Sequence, residues 1–262
     1  MEFGLKGKRA IVLAASRGLG YACALGLARE GCDLVIGSRS QERIDAAASR
    51  IRAETGVTVH ATAMDVGSAD GVTALVDTCV RELGGIEIAV HNAGGPPAGS
   101  VPSLTEAQWL LAFNANLMSF VRLARGVAPE MKKVGYGRLI ALTSSAIRQP
   151  ITNLVLSNAM RTGVLGIAKT LSREMAADHI LVNVVAPGRI ATERLDELDE
   201  ANAARTGTTA AEVRKATLAT IPLGRLGEPR ELANLVVFLA SESASYVTGS
   251  AIMVDGGMIS TM

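Results

Sequence analysis

Short apolar runs alternate with segments of helical period along the whole of this chain, and that rhythm decides its fold class. Residues 10–14, 33–37, 57–61, 86–90, 138–143, 180–185 and 250–254 are mostly Val, Ile, Leu and Ala, as strands covered on both faces require. Residues 20–30, 41–55, 70–83, 154–177 and 232–240 carry helical patterns between them. Thr105 and Gln108 form a capping-box pair that opens a further long helix running to residue 132. Strand–helix alternation with short connections builds βαβ units, whose crossovers are right-handed. The expectation is one α/β domain over 1–262, a doubly wound parallel sheet of about seven strands with helices on both faces. Ligands then sit at the carboxyl ends of the strands, where the strand order reverses. Residues 190–226 break the rhythm with mixed charge and Gly207, and are expected to cover that site as a lid.

Composition narrows the possible partners. Of 262 residues, 48% are hydrophobic and 19% charged, enough for a sizeable core and too apolar for a disordered chain. Lys+Arg 26 against Asp+Glu 25 leaves +1, so no strong basic field exists to hold nucleic acid. Cys23, Cys32 and Cys79 are odd in number and form no C-x-x-C. That argues against a disulfide framework or a metal site, and for packing as small hydrophobes. The first residues lack the apolar stretch of a signal peptide, and no run approaches the ~18 apolar residues of a membrane span. A cytoplasmic protein acting on a small molecule is expected.

The turn after the first predicted strand reads Leu13-Ala14-Ala15-Ser16-Arg17-Gly18-Leu19-Gly20. Glycines between a strand and a helix let the backbone approach a pyrophosphate, and the helix N-terminus offers it N–H groups. The second strand ends in Ser38-Arg39, where an NAD site would place an acid for the ribose 2′-hydroxyl. Arg39 and Arg17 are suited instead to clamp a 2′-phosphate, which favours NADP(H) over NAD(H).

Further motifs follow in order: Asp65, Asn92-Ala93-Gly94, Asn116, Ser144, Asn183, Pro187-Gly188, Thr192 and Val254-Asp255-Gly256-Gly257. Together they resemble the short-chain dehydrogenase/reductase superfamily nearly end to end, in the branch of the 3-oxoacyl-acyl-carrier-protein reductases. The resemblance implies a Rossmann-type fold and a homotetramer. It also implies a cofactor site made by Ala14, Ser16, Arg17, Gly18, Leu19, Gly20, Ser38, Arg39, Asp65, Val66, Asn92, Ala93, Gly94, Arg161, Pro187, Gly188, Ile190 and Thr192. Two departures stand close by. Leu13-Ala14 replaces a Thr-Gly, and the turn is expected to adjust around the methyl group. His91 replaces the first Asn of an N-N-A-G, and is expected to be a satisfied structural histidine.

The resemblance further implies a Tyr as general acid/base, a Lys four residues on, a Ser that orients the substrate carbonyl and an Asn that supports a water relay. Ser144 and Asn116 occupy the last two positions, but Ser157 stands in place of the Tyr and Arg161 in place of the Lys. Tyr21, Tyr136 and Tyr246 are the chain's only tyrosines, and none is placed to substitute. A Ser hydroxyl titrates far above the ~10 of Tyr, and Arg stays charged, so it clamps without shuttling a proton. The expected catalytic set is Asn116, Ser144, Ser157 and Arg161, with Arg161 donating to ribose hydroxyls or to an anionic substrate group. That set describes an atypical NADP(H)-dependent oxidoreductase acting on a carbonyl or alcohol. The alternative is a non-redox enzyme, such as a lyase, isomerase or hydrolase, or a cofactor-binding protein without turnover.

Structural roles compete for several of these residues. Asn116 suits a helix-interior bond to backbone, Ser144 a turn, and Asp196, Glu197, Asp199 and Glu200 a solvated helix face. The apolar excess of the helices at 105–132 and 154–177, and of the closing segment 251–262, points to a homo-oligomer.

Overall fold

The computed structural model describes residues 3–261; Met1, Glu2 and Met262, the last of which belongs to the expected association surface, lie outside the described residues. Seven strands run parallel in one sheet: β1 (Arg9–Leu13), β2 (Asp33–Ser38), β3 (Val59–Ala63), β4 (Ile88–His91), β5 (Gly137–Leu142), β6 (Ile180–Pro187) and β7 (Ala251–Val254). Their order is β3-β2-β1-β4-β5-β6-β7, so the sheet reverses direction between β1 and β4. Successive side chains alternate between two cores, as period two demands. On one face Ala10, Val12, Ile88 and Val90 meet α1 (Gly18–Arg29), α2 (Gln41–Thr55) and α9 (Pro229–Ala240). On the other, Ile11, Leu13 and Ala89 meet α3 (Ala69–Leu83), α5 (Ser119–Val134) and α6 (Val155–Glu174). Cys23, Cys32 and Cys79 are buried in these cores, and burial pushes each thiol up to about 12.

Helix starts follow local chemistry. The Ser40 hydroxyl accepts from the Arg43 N–H, and the Ser68 hydroxyl from the Gly71 N–H. The Thr105–Gln108 capping box forms as its spacing predicts and opens α4 (Glu106–Ala112). The single helix expected over 105–132 is interrupted, however. Phe113–Met118 is π-helical, a widened turn between α4 and α5. The edge strand β3 also starts two residues later than predicted. Asp33 accepts from the Thr58 N–H at 2.8 Å, which pins the entry and pairs Val59 with Leu34.

The excursion at 190–226 is largely helical, as α7 (Glu193–Thr206) and α8 (Ala210–Ala219). Its acids are not one solvated face. Asp196 and Glu197 are exposed, but Asp199 is buried and accepts from Arg214 of α8 at 2.5 Å. The guanidinium spans both aspartates and binds the two helices together.

Candidate active site

A cleft of about 860 Å³ opens at the carboxyl ends of β1 and β4–β6, where the strand order reverses. The turn after β1 supplies one wall. Ala14 adopts φ +50, a left-handed conformation that a glycine takes without strain. The turn accommodates the methyl group in this conformation, and Ala14 carries its strain. The Ala14 carbonyl accepts from Asn92 Nδ2 at 3.2 Å. A Cβ on Gly20 would lie 2.3 Å from that oxygen and 2.7 Å from Asn92 Nδ2, so only glycine lets α1 start so close. Gly20 is thus buried beneath the turn, while Ser16, Arg17, Gly18 and Leu19 line the cleft with Ala14. No side chain caps α1, and its first turn holds no acid, so its leading N–H groups are available to an anion.

The end of β2 brings Ser38 and Arg39 to the same wall, with Arg43 from the first turn of α2 beside them. Arg43 belongs to none of the sequence motifs; its one sequence signal is its place three residues after the Ser40 cap. Asp65, its carboxylate accepting from the Gly67 N–H at 2.9 Å, and Val66 follow β3. Arg17 is not idle: it is ion-paired with Glu193 and, at 3.3 Å, with Glu197 of α7. Arg194 of the same helix donates to the Pro96 carbonyl at 3.0 Å. The start of α7 is therefore tied to both sides of the cleft, to the glycine turn and to the loop after β4.

The opposite half is built from β4, β5 and α6. Asn92, Ala93 and Gly94 follow β4, and a Cβ on Gly94 would meet open space. Ser144 follows β5 and does form a turn, its hydroxyl accepting from the Ala146 N–H at 3.2 Å. Ser157 and Arg161 lie one turn apart on α6 and both line the cleft. Asn158 holds the preceding loop through two bonds with the Ile151 backbone, which sets Ile151 and Leu154 on the wall. Asn116 sits in the π turn, buried, and donates to the Ala112 carbonyl at 3.3 Å. Its helix-interior role and its place on the cleft wall coexist. Pro187 at the end of β6, and Gly188, Ile190 and Thr192 after it, line the far side.

Arg161 departs from expectation. Only 5% exposed, it donates from Nη1 to the Leu142 carbonyl at 2.6 Å and from Nη2 to the Ala93 carbonyl at 2.9 Å. Both terminal nitrogens are committed to the ends of β5 and β4, not held out for ribose hydroxyls or a substrate anion. Among the described residues no carboxylate pairs with it, and burial lowers its pKa to about 10. It remains a cation at neutral pH.

No tyrosine lines the cleft among the described residues. Tyr136 spends its hydroxyl on the Ala240 carbonyl at 2.7 Å, Tyr21 stacks under Arg50, and Tyr246 is fully exposed.

Residues 13–259 match the family described as enoyl-(acyl carrier protein) reductase. The chain belongs to the short-chain dehydrogenase/reductase superfamily. Human dehydrogenase/reductase SDR family member 4 is 36% identical over 256 residues, covering 97% of this chain and 88% of that protein. The 3-oxoacyl-acyl-carrier-protein reductase of Vibrio cholerae is 36% identical over 254 residues, covering 97% of this chain and 98% of its own. Among solved structures, L-sorbose reductase from Gluconobacter frateurii, complexed with NADPH and L-sorbose, superposes with a TM-score of 0.95 at 34% identity over 100% of both chains. The chain is therefore a superfamily oxidoreductase by descent, and its fold is that of the superfamily reductases.

The cleft fits the nicotinamide dinucleotide of that superfamily. The uncapped first turn of α1, the space over Gly94 and the close approach at Gly20 leave room for backbone–phosphate contact. No helix among the described residues is long and apolar enough to cross a membrane.

Proposed function

We propose that this protein is an NADP(H)-dependent oxidoreductase that interconverts a small carbonyl compound and its alcohol without a tyrosine acid. The observation that carries the cofactor choice is the wall at the end of β2. Arg39 and Arg43 stand there with Ser38, and Arg17 stands opposite on the glycine turn. A 2′-phosphate met by such groups gains roughly 1.5–3 kcal/mol per charge-assisted bond before desolvation. The NADPH bound in the L-sorbose reductase supports the same choice.

The cofactor, when bound, supplies the hydride and the protein supplies position and charge. Ser144 and Ser157 orient the substrate oxygen through their hydroxyls. The buried charge of Arg161 favours the negative charge that develops on that oxygen. Neither serine is acidic enough to protonate it, so the proton comes from water entering the cleft. Loss of a tuned acid lowers the rate about 10²–10⁴-fold against an ordinary member of the superfamily. Residues 190–226 serve as the lid, fastened through Arg17 and Arg194. Exposed Leu110, Leu111 and Phe113 of the α4 region supply an association surface for a homo-oligomer.

Titration followed by the fluorescence of Trp109 tests the cofactor choice: NADPH is expected to bind more tightly than NADH, and equal affinities reject it. A second reading, a dinucleotide-binding protein without redox turnover or a non-redox enzyme, is favoured by the commitment of Arg161 to backbone. Single-turnover mixing of the NADPH complex with a carbonyl panel separates the two, since only the first consumes NADPH.

A further inference from the structure

Six arginines line the cleft, Arg17, Arg39, Arg43, Arg161, Arg189 and Arg194, against three acids, Asp65, Glu193 and Glu197. The chain as a whole is balanced to +1, so the excess belongs to the cleft. Most of these cations are accounted for. Arg17 is paired with Glu193 and Glu197, and Arg194 with Glu197 at 3.2 Å and with the Pro96 carbonyl. Arg161 is held by two carbonyls. Arg39 and Arg43 stand at the β2 wall, where the proposed 2′-phosphate would engage them. Arg189 is left over.

Arg189 follows Pro187-Gly188 at the end of β6. Its carbonyl accepts from the Gly227 N–H at 3.0 Å, which ties its backbone to the segment after α8. Its half-buried side chain makes no hydrogen bond and no ion pair among the described residues. The carboxylate whose charge reaches it is that of Asp199, and Asp199 is taken by Arg214 at 2.5 Å. His91 adds no charge to the balance. It is buried with Nε2 2.7 Å from Ser119 Oγ, and burial, then the charge of Arg161, lower its pKa to about 3. A guanidinium drawn partly out of water without a partner is costly, and an anionic ligand offsets that cost.

The strand order separates this cation from the β2 wall. β6 and β2 are four strands apart, so their ends lie about 19 Å from each other at ~4.8 Å per strand. One anion cannot meet both. Ser144, by contrast, lies at the neighbouring strand end, because the Thr143 N–H donates to the Val185 carbonyl across β5 and β6. One guanidinium balances one charge, and it meets a planar carboxylate with two parallel bonds.

We infer that Arg189 is a specificity-determining residue of this cleft: its guanidinium receives a carboxylate of the substrate, which is then an oxo acid or the corresponding hydroxy acid. That the carboxylate belongs to a carbonyl compound rests on the proposed oxidoreductase reading; that Arg189 receives a carboxylate does not. The carboxylate takes no part in bond making. In the reducing direction the carbonyl carbon gains a hydride from NADPH, which leaves as NADP⁺, and the carbonyl oxygen gains a proton from water, which leaves as hydroxide.

Ligand-observed NMR on the full-length protein without cofactor tests the site by itself. Hexanoate is expected to bind about tenfold more tightly than the neutral hexanamide. In Arg189→Leu that preference is expected to fall below about twofold, and Arg189→Gln reads the same loss without placing an apolar side chain in the cleft. Arg189→Lys, which keeps the charge, is expected to retain part of it. No preference in the native protein, or a preference that survives loss of the guanidinium, overturns the inference. So does an Arg189→Leu protein that keeps the hexanoate preference and loses NADPH affinity about tenfold, which would assign Arg189 to the cofactor. The second arm mixes the NADPH complex with 2-, 3- and 5-oxohexanoate and with their methyl esters in single turnover. At least one acid is expected to be reduced about tenfold faster than its ester, and less than about twofold faster in Arg189→Leu. Esters reduced as fast as every acid overturn the inference. Consumption of NADPH with none of them would reject the proposed function instead, and the hexanoate arm would still decide.

Discussion

The two halves of the cleft treat their polar groups in opposite ways. On the glycine-turn side, donors are left open apart from Arg17, which is paired with Glu193 and Glu197: the first N–H groups of α1 have no cap, and Arg39 and Arg43 lie on an exposed rim. On the α6 side, donors are consumed: both terminal nitrogens of Arg161 are spent on backbone carbonyls. Open donors await a ligand, whereas spent donors hold the protein together. The glycine-turn half thus leaves donors open to an anion, while the α6 half is built around a fixed, buried charge.

The largest expected effect lies in the α6 half. Ser157→Tyr with Arg161→Lys restores the implied acid/base pair, and is expected to raise single-turnover carbonyl reduction by about 10²–10⁴-fold. Loss of the native activity with no gain in reduction would mean that the substrate half serves other chemistry. The glycine-turn half is most vulnerable at Gly20. Gly20→Ala places a methyl group against the Ala14 carbonyl and Asn92, and is expected to lower NADPH affinity about 100-fold and stability by roughly 1–3 kcal/mol. Affinity unchanged in calorimetry would show that the tight turn is not needed for binding.

Arg39→Ala sharpens the comparison further. It is expected to weaken NADPH about tenfold while leaving NADH nearly unchanged, because only one cofactor loses a charge-assisted bond. Parallel losses for both would make Arg39 a general electrostatic aid. A smaller effect is expected from Ala14→Gly. Removing the left-handed strain is worth about 1 kcal/mol, read as a melting temperature raised by about 2–4 °C. A lowered melting temperature would mean that the rigidity of alanine in the unfolded chain matters more. The smallest effect is none at all. Arg161 stays charged below its pKa of about 10, and neither serine titrates, so the native turnover rate is expected to be flat from about pH 6 to about pH 9. The Tyr/Lys double substitution is expected to introduce a titration into that profile.

The sheet and most of its helices were legible because local signals agreed. Apolar runs marked strands, while Ser40, Ser68 and the Thr105–Gln108 pair marked helix starts. The register of β3 was not, because a half-exposed edge strand carries a weak apolar pattern and Asp33, far along the chain, sets its entry. The π turn at Phe113–Met118 was not, because widening a helix by one residue leaves the helical period nearly intact. In the cleft, the residues expected for the cofactor and catalytic sets lie on the wall except Gly20, whereas the motif residues Asn183 and Val254-Asp255-Gly256-Gly257 lie away from it. Bonding partners were another matter. Arg17 meets acids 176 and 180 positions away, and Arg161 meets carbonyls, which every residue has and which no sequence pattern distinguishes.

The strand order has a consequence for how the molecule breathes. β1, β4 and β5 are central and buried, so their amides are expected to exchange with solvent only when the whole domain opens. α8 buries no residue, and α7 buries only Leu195, Asp199 and Ala203. Those helices are expected to exchange through local openings that leave the sheet closed. The strands that floor the cleft are thus expected to exchange more slowly than α7, whose first turns line it. Local opening of α7 is therefore expected to expose the cleft many times within the lifetime of a single folded molecule.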